Sequence, residues 1–138
     1  NVNSASILGF ETTVSYKINN WKLDTNITFL NAKNNETGNQ LDRRSRQSVN
    51  TTITRYLGNK HLSIEALTES ERNDRDGDVK LGSYMLINLL YSHNVNNSLK
   101  WNFRIDNIAN TDYTLASSPS GDYLTPGRNA HLGINYIF

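Results

Sequence analysis

The chain has 138 residues, a formal net charge of +1, no cysteine and a mean hydropathy of −0.61. That balance excludes a disulfide-stapled scaffold, a thiolate metal centre and nucleic-acid binding by bulk positive charge. No run of about twenty apolar residues exists, which excludes a spanning helix but not a spanning β-strand, for which about ten alternating residues suffice.

The opening NVNSASILGF carries no secretory signal pattern and reads as an internal segment. From about Leu8 to Ile18, Phe10, Thr12, Val14, Tyr16 and Ile18 alternate with Glu11, Thr13, Ser15 and Lys17, which predicts a first strand. Asn19-Asn20 is a tight turn, since asparagine tolerates positive φ. The second strand, about Trp21 to Ala32, sets Leu23, Thr25, Ile27 and Phe29 against Lys22, Asp24, Asn26 and Thr28, and NNETGNQLD follows as a polar loop. The third, about Arg43 to Leu57, sets Val49, Thr51, Ile53 and Leu57 against Ser48, Asn50, Thr52 and Thr54, and Gly58-Asn59-Lys60 turns the chain. The fourth, about His61 to Arg72, carries Leu62, Ile64 and Ala66 opposite Ser63, Glu65 and Glu69, and NDRDGDVK is a second polar loop. The fifth, about Leu81 to Val95, places Met85, Ile87, Leu89 and Tyr91 on one side, before a turn at Asn96-Asn97. The sixth, about Leu99 to Tyr113, alternates Leu99, Trp101, Phe103 and Ile105 with Lys100, Asn102, Arg104 and Asp106. A long loop, TLASSPSGDYLTP, leads to a seventh strand with Leu132, Ile134, Tyr136 and Phe138 on one face.

Alternation alone fits a soluble sandwich as well as a membrane wall. The predicted strands, however, exceed the five or six residues usual in soluble domains. Their connections run short, long, short, long, as periplasmic turns and extracellular loops do. Tyr16, Trp21, Tyr91, Trp101, Tyr136 and Phe138 cluster toward strand ends, where interfacial girdles lie. Arg55 is the clear charge on the apolar faces, close to a short turn where it can snorkel. In this orientation the last strand runs inward to Phe138, and Asn1 lies on the extracellular side. Seven strands that begin outside do not close a barrel, and open edges are prohibitive in hydrocarbon. The expectation is therefore an all-β fold: an antiparallel transmembrane β-barrel segment of about seven long strands, part of a larger barrel. Two alternatives stay open, a short chain that a partner completes into a barrel and a soluble β-sandwich binding module.

Four stretches carry a resemblance. RIDNIANTDY (Arg104 to Tyr113) resembles the penultimate-strand motif of TonB-dependent outer-membrane receptors, R-V-x-N-L-F-D-x-x-Y; Asn107 and Tyr113 match, and Ala109-Asn110 replaces Phe-Asp. YLTPGRNAHLGINYIF (Tyr123 to Phe138) is similar to the family's ending, Y-x-x-P-G-R followed by an alternating strand and a terminal Phe. RRSRQSVN (Arg43 to Asn50) resembles R-R-P-R-H-S-x-N with Ser45 in place of proline, and GSYMLINLLYS resembles the strand G-Y-x-L-V-N-L. The four stand in order and cover nearly the whole chain.

The resemblance implies a Gram-negative outer-membrane barrel of about twenty-two strands filled by an N-terminal plug. On that reading residues 1–138 are the C-terminal portion of the barrel, with plug and earlier strands absent. Such receptors take up large scarce nutrients (cobalamin, siderophores or haem) with energy delivered through TonB, which acts on the missing N-terminal part. The compact loops look most like the cobalamin branch. Leu132, Ile134, Tyr136 and Phe138 become the signal read by the barrel-assembly machinery, since an exposed edge strand can be recognised by strand addition. The plainer reading of the same residues is a lipid-facing strand with an aromatic at the interface.

Arg43, Arg44 and Arg46 form the densest positive cluster, next to an outer loop. Contacts with the plug, an anionic ligand or lipopolysaccharide phosphates would suit arginine's fork; a solvated charge run at a barrel rim is the preferred reading. Arg104 and Asp106, like Glu65 and Glu69, face the lumen and are expected to pair with one another or with the plug. Asp74, Asp76 and Asp78 around Gly77 resemble part of a calcium loop but lack its closing glutamate, so a polar turn is expected there. The three histidines are dispersed, and no nucleophile–base constellation or phosphate loop appears. The sequence thus predicts no enzyme, no cofactor, no metal site and no nucleic-acid partner.

Overall fold

The computed structural model describes residues 3–123 and 125–138. Asn1, Val2 and Leu124 lie outside the described residues; the expectation for the side on which Asn1 sits falls there, and the motif from Tyr123 to Phe138 passes through Leu124. The strands are β1 (Ala5–Ile18), β2 (Trp21–Asn34), β3 (Gln47–Leu57), β4 (Lys60–Glu69), β5 (Arg72–Asp74), β6 (Val79–Leu81), β7 (Tyr84–Asn94), β8 (Leu99–Asp106), β9 (Ser117–Ser118), β10 (Gly121–Asp122) and β11 (Asn129–Tyr136). Seven of them form one antiparallel sheet in the order β1-β2-β3-β4-β7-β8-β11. The pairs β5–β6 and β9–β10 are small hairpins carried in the second and third long loops.

The register keeps the two faces apart across the whole sheet. Phe10 pairs with Phe29, Ile27 with Val49, Ile53 with Ile64, Leu89 with Ile105 and Phe103 with Leu132, all on one face. Thr13 pairs with Asn26, Thr54 with Ser63, Glu65 with Asn88 and Arg104 with His131 on the other. A slip of one residue would exchange the faces, so this register is strongly specified. Polar groups on the apolar face find local partners. The hydroxyls of Thr25 and Thr51 are 3.3 Å apart, and the Arg55 guanidinium lies 4.8 Å from the Trp21 ring centroid beside the β1–β2 turn.

The sheet is a single layer. Among the described residues only Ala32 and Leu81 are buried apolar side chains, while Phe10, Phe29, Ile53, Ile64, Leu132 and Ile134 stay exposed. A sandwich would bury this face against a second sheet. β1 and β2 have 14 residues each, more than the nine to eleven or so that cross a bilayer. Asn19 (φ 49°) and Gly58 (φ 63°) take the left-handed conformations that the two-residue turns require. Tyr91, Trp101 and Tyr136 gather at the short-turn end, with the Tyr91 and Trp101 rings 5.0 Å apart.

Several strand limits differ from the sequence reading. β3 begins at Gln47 rather than Arg43, whose φ is 57°, and β8 ends at Asp106 rather than Tyr113, because Asn107 (φ 50°) and Asn110 (φ 55°) turn the chain. β4 ends at Glu69 and β7 starts at Tyr84, because Arg72–Asp74 and Val79–Leu81 leave the sheet to pair with each other.

Candidate functional site

Two sets of residues have chemistry to offer, one on the polar face and one in the long loops. On the polar face Arg104 (β8) is the centre. Its Nη2 lies 3.2 Å from Glu65 Oε2 on β4, and its Nε donates to Asp106 Oδ1. Asp106 Oδ2 is 3.2 Å from His131 Nε2 on β11, and Asn88 Nδ2 on β7 donates to Glu65 at 2.8 Å. Four strands are thus joined by one band of charge. Glu69 takes a different partner, accepting from Ser48 Oγ at 2.8 Å.

Above Asp106 the chain turns on Asn107, whose side chain is almost fully buried. Its Oδ1 accepts the Thr111 amide at 2.8 Å, its Nδ2 donates to the Thr111 carbonyl at 2.9 Å, and its own N–H donates to Asn88 Oδ1 at 2.9 Å. Tyr84 and Tyr113 meet with ring centroids 4.5 Å apart. The two stretches that carry much of the family resemblance therefore interlock, asparagine on asparagine and tyrosine on tyrosine. Asn107→Ala removes both side-chain bonds to Thr111 and is expected to cost about 1–3 kcal/mol. Urea titration of the full barrel checks this, with Asn107→Asp retaining the acceptor half.

In the loops the anchor is Asp74, which is 1% exposed. Its Oδ1 accepts from Arg43 Nε and from the Arg75 amide, both at 2.9 Å, and its Oδ2 accepts from the Ser117 amide at 2.6 Å. One carboxylate thereby ties all three long loops together. Burial works against its ionised form, but the Ser117 amide, Arg43 and the Arg75 amide outweigh that and hold Asp74 below the ordinary carboxylate range. The Arg43 amide adds a 2.7 Å bond to the Asn73 carbonyl, and the Asp76 amide donates to Asp42 Oδ2 at 2.7 Å.

Of the arginines singled out by sequence, Arg43 is therefore committed to Asp74. Arg46 Nε donates to Gln40 Oε1 at 3.3 Å, and Arg44 is exposed. Leu132, Ile134 and Tyr136 are exposed on the apolar face of β11, a sheet edge, and Phe138 is exposed two residues beyond the end of that strand. Sequence reasoning missed Asp74 as an anchor, and Gln40 and Arg72 altogether. Apart from the neighbouring Arg75 amide, the partners of Asp74 are 31 and 43 residues away, and nothing in the sequence around Asp74 points to them.

A one-layer antiparallel sheet, apolar and exposed on one face and ion-paired on the other, is the wall of a transmembrane β-barrel. Residues 1–108 match the family described as TonB dependent receptor-like, beta-barrel, and the chain belongs to this family of outer-membrane β-barrel proteins of Gram-negative bacteria. The vitamin B12 transporter BtuB of Photobacterium profundum is 28% identical over 114 residues, which cover 82% of this chain and 19% of that protein. The copper transporter OprC superposes with a TM-score of 0.85 at 21% identity, over 97% of this chain and 24% of its own. The ferric enterobactin receptor PfeA of Pseudomonas aeruginosa does so at 0.82 and 20% identity, over 100% of this chain and 23% of its own. The chain thus spans about a fifth to a quarter of the length of these relatives.

Proposed function

We propose that residues 1–138 are the C-terminal portion of the barrel of a larger receptor that takes up a large scarce nutrient, of the cobalamin, siderophore or haem class, with energy relayed through TonB. The observation that carries this reading is the match of residues 1–108 to the receptor-barrel family. The C-terminal position is supported by the resemblance of Tyr123 to Phe138 to the family's ending, and the cobalamin class by the 28% identity to a vitamin B12 transporter. On this reading the missing N-terminal part supplies the plug and the TonB contact. Arg104 and Asp106 face the plug from the lumenal wall. Arg43, Arg44 and Arg46 lie at the outer rim, where Arg44 serves an anionic ligand or lipopolysaccharide. No enzymatic step is assigned.

Fractionated envelopes probed with an antibody to β11 test the placement. The expected band lies in the outer membrane at several times 15.6 kDa. A band at 15.6 kDa in the same membrane would mean a partner-completed barrel, and one in the soluble fraction would sink the membrane reading. Deleting the gene should abolish uptake of radiolabelled cyanocobalamin or of one ferric siderophore; unchanged uptake of every such nutrient would refute the transport role. We also assign Leu132, Ile134, Tyr136 and Phe138 to recognition by the barrel-assembly machinery. Removal of Phe138 from the full receptor should lower its assembled, heat-modifiable fraction several-fold, and normal assembly would dismiss that assignment.

A further inference from the structure

The carboxylates of the main sheet, Glu11, Asp24, Glu65, Glu69 and Asp106, all lie on its polar face. The apolar face has none, yet its short-turn end carries Arg55 and Lys60. These sit on the adjacent strands β3 and β4, where Arg55 is in register with Leu62 and Lys60 with Leu57. Side chains in that diagonal relation start about 7–8 Å apart, a span that one phosphate can bridge. Neither cation has an acid partner on its own face. Both are set among aromatic rings. Arg55 is half-buried, with its guanidinium 4.8 Å from the Trp21 ring centroid. Lys60 is exposed and pairs across the sheet with His93. The His93 ring stands edge-on to Trp101 with centroids 5.8 Å apart, and its Nε2 lies 3.2 Å from Asn59 Nδ2 in the turn. Tyr91 pairs with Leu62 and packs on Trp101. Further from the turn the same face continues through Ile64, Leu89 and Phe103 without a charge.

We infer that this end of the wall is a docking surface for an anionic phospholipid of the periplasmic leaflet, its phosphate held between Arg55 and Lys60 and its acyl chains lying on Leu62, Ile64 and Phe103. Continuity decides the occupant. The patch runs unbroken into the apolar face that meets hydrocarbon, so a lipid lying on that face brings its phosphate to this height. Arg55 is two residues, about 7 Å, from the end of β3, within reach of the headgroup layer for a side chain of its length. Charge decides the headgroup. A zwitterionic lipid would bring an ammonium that no carboxylate on this face can receive and that both cations repel. A glycerol headgroup brings no second charge, and its hydroxyls suit the polar edges of Tyr91 and Trp101. Arginine's fork suits the phosphate oxygens. Short turns of such barrels are periplasmic, which fixes the leaflet. Lipid selection of this kind holds whatever nutrient passes the barrel.

The test uses the full-length receptor in a maltoside detergent, which carries no phosphate. Phosphatidylglycerol or phosphatidylcholine with identical chains is titrated in, and native mass spectrometry counts the lipid retained. Wild type is expected to retain phosphatidylglycerol in preference. Arg55→Gln and Lys60→Gln should each lower that preference about fivefold, the worth of one cation at a lipid surface, and together should abolish it. Retention of phosphatidylcholine should not change. Lys100→Gln removes a cation from the same end of the sheet but from its polar face, and should leave the preference intact. Heat-modifiable migration first confirms that each variant is folded; should Arg55→Gln misfold, Lys60→Gln against Lys100→Gln carries the comparison. Equal retention of the two lipids by wild type, or a preference that Arg55→Gln and Lys60→Gln leave unchanged, overturns the inference. An equal loss in Lys100→Gln would reduce the effect to bulk charge and overturn it too. Stronger retention of lipopolysaccharide than of phosphatidylglycerol, lost in the same two variants, would put the patch in the other leaflet and likewise overturn it.

Discussion

Phe103→Arg should destabilise the full barrel by about 2–4 kcal/mol, while Asn102→Arg, one residue earlier on the same strand, should cost less than about 1 kcal/mol. The contrast follows from the register. Phe103 lies between Tyr91 and Leu132 on the apolar face, in the interior of β8, where a guanidinium has no short route to water. Asn102 faces the other way, exposed and opposite Gly133, where a longer side chain has room. Arg55 shows what a cation on the apolar face needs, namely a nearby turn and the face of Trp21. Phe103 has no such turn beside it, and its neighbour Tyr91 already packs on Trp101. Ile53→Arg, between Leu23 and Ile64, should repeat the loss at a second site. Unfolding from lipid vesicles in urea, followed by tryptophan fluorescence, gives the numbers. Equal tolerance at residues 102 and 103 would mean the apolar face does not meet lipid.

The parts of this fold that could be read in advance are those governed by a period of two. Phe10 through Ile18, or Leu99 through Ile105, announce their face because each neighbour two residues on repeats it. The short turns were equally legible, since Asn19 and Gly58 are residue types that accept positive φ. Strand ends were less so. Arg43 also takes a positive φ of 57°, and no local pattern distinguishes it from a strand residue; its conformation is held by bonds to Asn73 and Asp74 in another loop. RIDNIANTDY reads as a continuing strand because Ile108 and Tyr113 preserve apolar character, yet Asn107 stops it by spending both side-chain groups on Thr111. The sequence resemblance marked Asn107 and Tyr113 in one stretch and the β7 strand in another, without relating the two. The Asn88–Asn107 bond and the Tyr84–Tyr113 contact supply the reason. The loop sites stayed hidden throughout. Gln40 and Arg72 are ordinary polar residues in sequence, and only their burial against Arg46, and against Thr114 and Tyr84, sets them apart.

Asp74→Ala should release the three outer loops while leaving the sheet folded. The substitution removes the acceptor for two backbone amides and for Arg43 Nε. Each buried amide left unpaired costs about 1–3 kcal/mol, and Arg43, half exposed, regains water. The local opening free energy of the loops should fall by about 2–4 kcal/mol. Hydrogen exchange of the full receptor reads this directly, as faster exchange in peptides covering 42–46, 72–81 and 114–118 with unchanged protection in the strands. Asp74→Asn keeps the shape and one acceptor oxygen but turns an amide donor toward donors, so it should recover only part of the loss. The pH dependence has a fixed sign. The native carboxyl sits below its unfolded value, so its contribution is complete above the ordinary carboxylate pKa, about 4, and drains as pH falls through the lower native value. Asp42, which accepts the Asp76 amide, is a second carboxylate among the same loops, and the Asp74→Asn variant isolates the part that belongs to Asp74. If wild type and Asp74→Ala exchange alike at pH 7, the three loops are held by their backbone hairpins and the shared carboxylate is incidental.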